Sequence, residues 1–396
     1  MKHLPLDQLV SDVIGGGWGD EEQFNGAAEV RVIRGADFPD VLIQDGTSLP
    51  IRYEEPKRAA NRLLQPGDIV LEVSGGTKDR PTGRVVLVTQ KLVDSAGSDL
   101  IPASFCRRLR PRPDVVDSRY LYYSLSNWWK QGGAWEYQLQ STGIANFQYK
   151  VFSANYTLGL PDKQAQRAIG EVLGALDDKI AANRRVIGSS VTLATQIVAR
   201  EAVGPDRQLS EIADVQMGSS PRGADLNEDG DGMEFYQGVR DFGPLSPTPR
   251  VFATVTPRRA NAGDTLLAVR APVGEVNWAR NETCIGRGLA AVRSVGTPTT
   301  IHYLLKRFAS RWDEHEGSGT VFSSVTGPQV KGMRFPTVPE ASAEDVEQVV
   351  ASIHHRALSA EAESEVLART RDELLPLLMN GRISVKDAER VVGDVV

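Results

Sequence analysis

The chain is 396 residues long, 41% hydrophobic and 24% charged, with a formal net charge of −6. That length predicts two or three domains with cores of their own. A composition near the soluble average, with no run approaching the eighteen or so apolar residues of a membrane-spanning helix, excludes such a helix and predicts a soluble chain.

The start, Met1-Lys2-His3-Leu4, has a charge but no apolar segment behind it, so no secretory leader is expected and the protein is expected in the cytoplasm. Cys106 and Cys284 have no Cys or His partner nearby in sequence, offer no disulfide or zinc spacing, and read as small buried apolar residues. Residues 1–160 hold 18 Lys and Arg against 19 Asp and Glu, residues 206–340 hold 15 against 16, and residues 341–396 hold 6 against 11. The acidic excess therefore lies mostly at the C-terminal end and need not oppose a phosphate backbone at the two larger segments.

Those two segments repeat one order of elements, the mark of an internal duplication. Leu9-Val10 runs into the Gly-rich stretch Gly15-Gly16-Gly17-Trp18-Gly19, and Leu209 into Gly218-Ser219-Ser220-Pro221-Arg222-Gly223. A strand-like stretch ending in a basic turn follows, Val30 to Phe38 in one copy and Phe235 to Phe242 in the other. Next come Pro66-Gly67-Asp68 and Ala262-Gly263-Asp264, turns in which Gly supplies a permissive backbone and Asp a local hydrogen bond, each feeding an apolar strand. A Gly-containing basic loop succeeds each strand: Ser74 to Arg80, and Arg270 to Gly274. Each copy closes on a polar loop, an aromatic residue and a proline fourteen positions later, Phe147 with Pro161 and Phe322 with Pro336.

Behind each proline the apolar period becomes helical. Ile169, Leu176, Asn183, Ser190 and Ile197 are seven apart, with Leu173, Ile180, Ile187 and Ala194 as a second row. In the second copy Val346, Ile353, Ala360, Leu367 and Leu374 repeat every seven, with Val350 and Ala357 alongside. A helix of thirty-odd residues is roughly 50 Å long. The plainer reading of one such stripe is an ordinary packed face, but two equivalent stripes, each behind a repeated domain, predict an antiparallel coiled coil. The expected fold class is α+β: two pseudo-repeated mixed α/β domains, 1–160 and 204–338, separated by two long helices, 161–203 and 339–380, with a tail at 381–396.

The stretch from Leu160-Pro161 through Gln164 and Gln166 to Ile169, followed by Leu173 and Leu176-Asp177-Asp178-Lys179-Ile180, resembles the strand-exit proline, glutamine and isoleucine of type I restriction-modification specificity subunits. Leu374-Leu375-Pro376-Leu377-Leu378-Met379-Asn380-Gly381-Arg382-Ile383 is similar to that family's closing motif, and the resemblance covers essentially the whole chain. The second helix entry, Phe335-Pro336-Thr337-Val338-Pro339-Glu340, keeps the proline but lacks the glutamine. The resemblance implies two target-recognition domains, each reading half of a split double-stranded DNA site, and helices that set the gap and bind two methylation subunits. It implies neither a catalytic centre nor a cofactor in this chain, and leaves open whether a translocating restriction subunit joins. Leu173, Leu176, Ile180, Ile187, Ile353, Leu367 and Leu374 are the expected partner-binding residues.

Base edges are read by Arg, Lys, Asn and Gln, while Ser, Thr and backbone N–H groups grip phosphates. The candidates in the first domain are Lys78, Arg80, Arg84, Ser141, Thr142, Asn146 and Gln148. In the second they are Arg222, Arg240, Arg270, Arg280, Arg287, Ser318, Thr320 and Ser323. Each could equally be a solvated surface residue, so the loops are firmer candidates than their members. Trp128, Trp129 and Trp135, with Tyr120, Tyr122, Tyr123 and Tyr137, could stack on bases, although their spacing around Leu121 and Leu125 favours core packing. Arg107, Arg108, Arg110 and Arg112 form the densest basic run, either touching phosphates or lining a solvated strand edge.

A self-contained methyltransferase or nuclease would need motifs that are missing: an Asn-Pro-Pro-aromatic run, a carboxylate-carboxylate-Lys cluster, a phosphate loop or a dinucleotide fingerprint. His354 and His355 point about 100° apart on a helix, against paired ligation, and His3, His302 and His315 are scattered. A coiled-coil scaffold without DNA binding would explain the helices and leave the duplicated Gly/Arg loops without a purpose.

Overall fold

The structure, a computed structural model, describes residues 2–77, 79–141, 144–315 and 324–393. It divides into two compact units, Met1–Ala182 with Glu363–Val396, and Asn183–Ala362.

The first unit contains strands β1 (Val10–Gly15), β2 (Ala28–Ile33), β3 (Ile51–Glu54), β4 (Ile69–Glu72), β5 (Val85–Leu87), β6 (Asp99–Pro102) and β7 (Cys106–Pro111). They form an antiparallel sheet of order β1-β7-β4-β5 and a second sheet β3-β2-β6, in which β2 and β6 run parallel. Every residue of β4 is buried, as expected of an inner strand covered on both faces. The second unit contains β8 (Asp214–Met217), β9 (Met233–Tyr236), β10 (Val251–Ala253), β11 (Thr265–Ala268), β12 (Val276–Trp278), β13 (Thr283–Ile285) and β14 (Leu289–Arg293). Here the orders are β8-β14-β11-β12 and β10-β9-β13, again with the inner pair β9 and β13 parallel. The second sheet is widened at its edges by Leu226–Asn227 and Arg259–Ala260. The duplication seen in the sequence is therefore a duplication of topology, strand for strand.

The Gly-Asp turns are equivalent atom for atom. Gly67 and Gly263 take φ of 96° and 91°, the left-handed region that favours glycine. Asp68 Oδ2 accepts the Gln65 N–H at 2.8 Å, and Asp264 Oδ2 the Asn261 N–H at 2.8 Å. Each aspartate also takes an arginine from the last strand of its sheet, Arg110 at 2.7 Å and Arg293 at 2.7 Å. This corrects the expectation for the Arg107–Arg112 run. Strand β7 lies between β1 and β4, so it is not an edge. Arg108 is buried, pairs with Asp12 and donates to Leu63 O at 2.6 Å. Arg112 Nε donates to Val10 O at 3.1 Å, and the Arg107 guanidinium lies 5.4 Å from the Tyr149 ring centre.

Helix α1 (Ser118–Lys130) starts at the N-cap Asp117, whose carboxylate accepts the N–H groups of Arg119 and Tyr120. Tyr120, Leu121, Tyr122, Tyr123 and Leu125 are buried in the core of the first unit, and Trp128 stacks 4.4 Å from Phe152. Most of the aromatic segment is thus packing. Trp135 and Tyr137 fall in a following 3-10 turn, Gly133–Tyr137.

The long helices are α2 (Lys163–Glu201) and, beyond the shorter α3 (Pro298–Arg307), α4 (Glu340–Met379). In the first unit Ile169, Leu173 and Leu176 of α2 share a core with Leu367, Leu374 and Leu378 of α4. Asp177 pairs with Arg371 at 2.6 Å and Lys179 with Glu363 at 3.1 Å, so the segments run antiparallel. Gln166, buried, accepts the Asp117 N–H at 2.9 Å and donates to Pro161 O at 2.9 Å, fastening the helix start to α1. In the second unit Ile187 packs on Ala357 and Ala360, while Ala194 and Val198 share a core with Val346 and Val350. There the glutamine is missing, and Glu347 of α4 instead accepts the N–H groups of Thr299 and Thr300 at the start of α3. The seam leaves its sevenfold register in two places, burying Val198 more than Ile197 and His354 more than Ile353. A straight helix of 3.6 residues per turn drifts from a 3.5 repeat in this direction.

Leu173, Leu176, Ile187, Leu367 and Leu374 are therefore occupied inside the units, with Ile180 and Ile353 half-buried beside them, and offer a partner no open apolar face. Helix α4 ends in a glycine cap: Gly381, at φ 72°, donates to Leu378 O at 3.2 Å, and Arg382 to Leu377 O at 2.9 Å. Beyond it the expected tail contains a helix, Val385–Gly393, whose Ala388 enters the first unit's core. No helix among the described residues is long and apolar enough to cross a membrane.

His354 shares a 2.9 Å hydrogen bond between its Nδ1 and Tyr303 Oη, and His302 a 3.2 Å bond between its Nδ1 and Thr265 Oγ1; both imidazoles stack edgewise on Trp278. Burial pushes His354 down to about 4, and drives His302, also facing His354 and Lys306, well below its ordinary value. The unfolded chain takes up protons near pH 6.5 that the folded unit refuses, so stability contributed above pH 6.5 is lost as pH falls toward 4. The melting midpoint of the second unit should fall over that window, and His354→Gln should flatten the fall. An equal slope in the variant would show that this histidine does not control it.

Candidate nucleic-acid interface

In each unit the Gly-rich loop crosses the strand ends at one edge. Gly16 N–H donates to Cys106 O at 3.0 Å and Gly17 N–H to Pro102 O at 2.9 Å; Gly218 donates to Leu289 O at 2.9 Å and Ser219 to Ile285 O at 2.9 Å. A Cβ on Gly16 would strike Ala103 O, and one on Gly218 would strike Gly286 O. Beside the crossing, Val73 N–H donates to Phe105 O at 2.8 Å and Val269 N–H to Gly288 O at 2.9 Å. The loop before each helix entry joins the same edge, through Phe147 N–H to Val73 O at 2.9 Å and Val325 N–H to Val269 O at 3.0 Å. Single bridges then pair Ser74 with Asn146 and Arg270 with Ser324.

These bonds align the copies more closely than sequence spacing does. Val325 is the hydrogen-bonding equivalent of Phe147, and Phe322, matched to it by the distance to the next proline, lies outside the described residues. Arg270 corresponds to Ser74 and Arg287 to Ser104.

The second unit brings four candidates to its edge. Arg222 follows the crossing loop, Arg240 follows Gln237-Gly238, Arg270 follows β11 and Arg287 precedes β14. All four are exposed, and none has an ion pair or side-chain hydrogen bond among the described residues. Arg280 does not join them: its Nη2 is 2.7 Å from Glu361, a buried residue of α4 that also accepts the Leu245 and Ser246 N–H groups. It fastens the sheets to the helix.

The first unit arranges its edge differently. Arg84 donates to both oxygens of buried Glu72, at 2.8 and 2.7 Å, and to Gly35 O at 2.7 Å, with Phe38 packed against it. Arg80 donates to Gly75 O at 2.7 Å and approaches the same Glu72 at 3.8 Å. Asn146 is exposed, with its Oδ1 bonded to the Ser74 hydroxyl, and Gln148 is half-buried ahead of the helix Tyr149–Asn155. Ser141 ends the strand Gln138–Ser141; Lys78, Thr142, Ser318, Thr320 and Ser323 lie outside the described residues. Sequence inspection missed Glu72, whose only signal is an acid closing a buried strand before a basic loop, and Phe105, 59% exposed on the turn beside Ser104. Trp18 lies on the crossing loop with the Arg52 guanidinium 4.2 Å from its ring centre. Cys106, behind this edge, is buried with its thiol pushed up to about 12, which keeps it protonated and inert.

Free guanidinium groups on a rigid edge suit phosphates and the acceptor edges of bases. The fold defines a duplicated two-sheet module borne on paired long helices. Residues 10–188 match the model of the type I restriction modification DNA specificity domain. A curated protein of Methanocaldococcus jannaschii, named a type I restriction enzyme MjaX specificity subunit, is 26% identical over 310 residues, 70% of this chain and 71% of its own. The crystal structure of a type I restriction-modification system S subunit from M. genitalium shares the fold, with a TM-score of 0.59, 15% identity and 95% of each chain covered. Over these stretches the chain is similar to type I restriction-modification specificity subunits.

Arg84→Ala should cost about 3 kcal/mol in denaturant melts, because it leaves Glu72 buried without its main partner. Arg287→Ala, at an exposed and unpaired site, should change stability by less than about 0.5 kcal/mol. Equal losses would mean that the edge arginine also supports the fold.

Proposed function

We propose that the chain is the non-catalytic DNA-reading subunit of a type I restriction-modification complex, working in the cytoplasm. Each unit reads one half of a bipartite double-stranded site, and the long helices fix the gap between the halves. The observation that carries this is the duplicated edge: one scaffold presents two loop sets that differ at equivalent positions, Ser74 against Arg270 and Ser104 against Arg287, as two different half-sequences require. Pseudo-symmetry within one chain takes the place of the dimer symmetry that sets operator spacing in other DNA-binding proteins.

Two methylation subunits dock on the helices. The seam residues are occupied, so the docking surface is the outward faces, where Leu193, Val349 and Val366 stand 49%, 50% and 42% exposed. The gene neighbourhood decides whether a translocating restriction subunit completes the assembly.

The purified chain should bind duplex DNA with an affinity that falls linearly on log axes as salt rises, and should neither methylate nor cleave it. Turnover by the isolated polypeptide, with other subunits excluded by mass spectrometry, would contradict this function. Inserting four residues after Ala182 lengthens α2 by roughly 6 Å and turns it by about 40°. Methylation mapping of the variant complex should return the same half-sequences with a gap longer by about one or two base pairs of 3.4 Å. An active variant with the original gap would end the ruler model.

A further inference from the structure

Arg270 and Arg287 flank a single backbone hydrogen bond, the one from Val269 N–H to Gly288 O at 2.9 Å. We infer that these two arginines read a guanine in the half-site of the second unit, offering N–H donors to its O6 and N7. This rests on the DNA-reading function proposed above and assigns that unit its base chemistry.

The electrostatics come first. Two cations at neighbouring points of one sheet edge repel each other. The chain has 51 acidic residues, yet neither guanidinium meets a carboxylate among the described residues. Elsewhere in the fold comparable arginines are neutralised: Arg84 by Glu72, Arg110 by Asp68, Arg280 by Glu361 and Arg293 by Asp264. The edge is thus left with surplus donors that a ligand rich in acceptors satisfies.

The backbone beneath Arg287 is fixed, while its side chain has no partner among the described residues. Leu289 N–H closes a turn onto Gly286 O at 3.0 Å, Gly288 N–H donates to Gln237 O at 3.1 Å, and Arg287 N–H donates to Ser220 Oγ at 3.2 Å. A Cβ on Gly286 or Gly288 would run into Gln237, so the two glycines seat the turn against the next loop. Donors carried on a rigid base lose less freedom on binding and discriminate geometry better than donors on a mobile loop.

The choice of guanine follows from the acceptor pattern. Guanine alone among the bases offers two acceptors and no donor of its own on the major-groove edge, and the guanidinium fork matches them as a lysine ammonium cannot. The other copy shows that the scaffold does not demand arginine here. In the first unit the equivalent bond, Val73 N–H to Phe105 O at 2.8 Å, is flanked by Ser74 and Ser104. Ser74 is buried with its hydroxyl bonded to Asn146, which leaves exposed Ser104, whose hydroxyl both donates and accepts and suits several bases.

The test uses the whole chain coexpressed with its host's methylation subunit, with methylated sites mapped by sequencing and affinities measured on duplexes of the mapped site. Arg270→Gln with Arg287→Gln should leave the first half-sequence unchanged and relax one guanine position in the second, lowering discrimination there by about 5- to 150-fold per contact. Replacing both by lysine should relax the same position while largely keeping the salt dependence. Uniform weakening on all duplexes, with the site unchanged and the salt slope shallower, would assign the pair to phosphates and overturn the inference. A wild-type second half-site with no G·C pair, and so no guanine on either strand, would overturn it too, leaving DNA reading intact. A wild-type complex that prefers no sequence would overturn both.

Discussion

The candidate interface depends on a backbone approach that only glycine permits. At Gly16 and Gly218 the first loop of each copy passes so close over the strand ends that a side chain would meet a carbonyl oxygen. That contact sets the loop between the two sheets and brings its successors, Trp18 in one copy and Arg222 in the other, toward the edge where the later loops converge. Chain segments far apart in sequence, such as Ser74 and Asn146 or Arg270 and Ser324, then lie side by side. The candidate edge is a consequence of packing the two sheets, with its backbone settled by main-chain hydrogen bonds.

A scaffold fixed in this way can change its side chains without changing its shape. The first unit neutralises its arginines internally, through Glu72 and Asp37, and exposes Ser104, Phe105 and Asn146. The second leaves Arg222, Arg240, Arg270 and Arg287 without an ion pair among the described residues. Strand orders, Gly-Asp turns and Asp-Arg pairs are common to both, so the differences concentrate at positions whose substitution costs the fold little. Separating architecture from surface chemistry allows each copy to diverge toward its own ligand.

Much of this was legible in the sequence because it depends on local chemistry. Gly67-Asp68 and Gly263-Asp264 announce their turns through backbone permissiveness and a three-residue hydrogen bond, and the heptads of α2 and α4 announce a seam through period alone. What was not legible depends on partners distant along the chain. Arg84 meets Glu72 twelve positions away, but Arg280 meets Glu361 and Arg108 meets Asp12 across 81 and 96 positions. Inspection therefore ranked Arg84 and Arg280 with the exposed arginines and left the Arg107–Arg112 run with no partner. The register between Phe147 and Val325 was hidden for a related reason: the distance to the next proline counts residues, whereas the ladder counts hydrogen bonds.

The acidic C-terminal segment bears on the same question. Its carboxylates line α4 and act there as structural acceptors: Glu347 holds the start of α3, Glu361 holds Arg280 and the loop at Leu245, and Glu363 pairs with Lys179. Placed on the candidate edges, the same charges would quench the exposed guanidinium groups and repel phosphate. Over separations beyond about 10 Å at moderate salt they are largely screened. A chain of net charge −6 can therefore carry a cationic surface, because the charges that determine binding are those within a Debye length of the ligand.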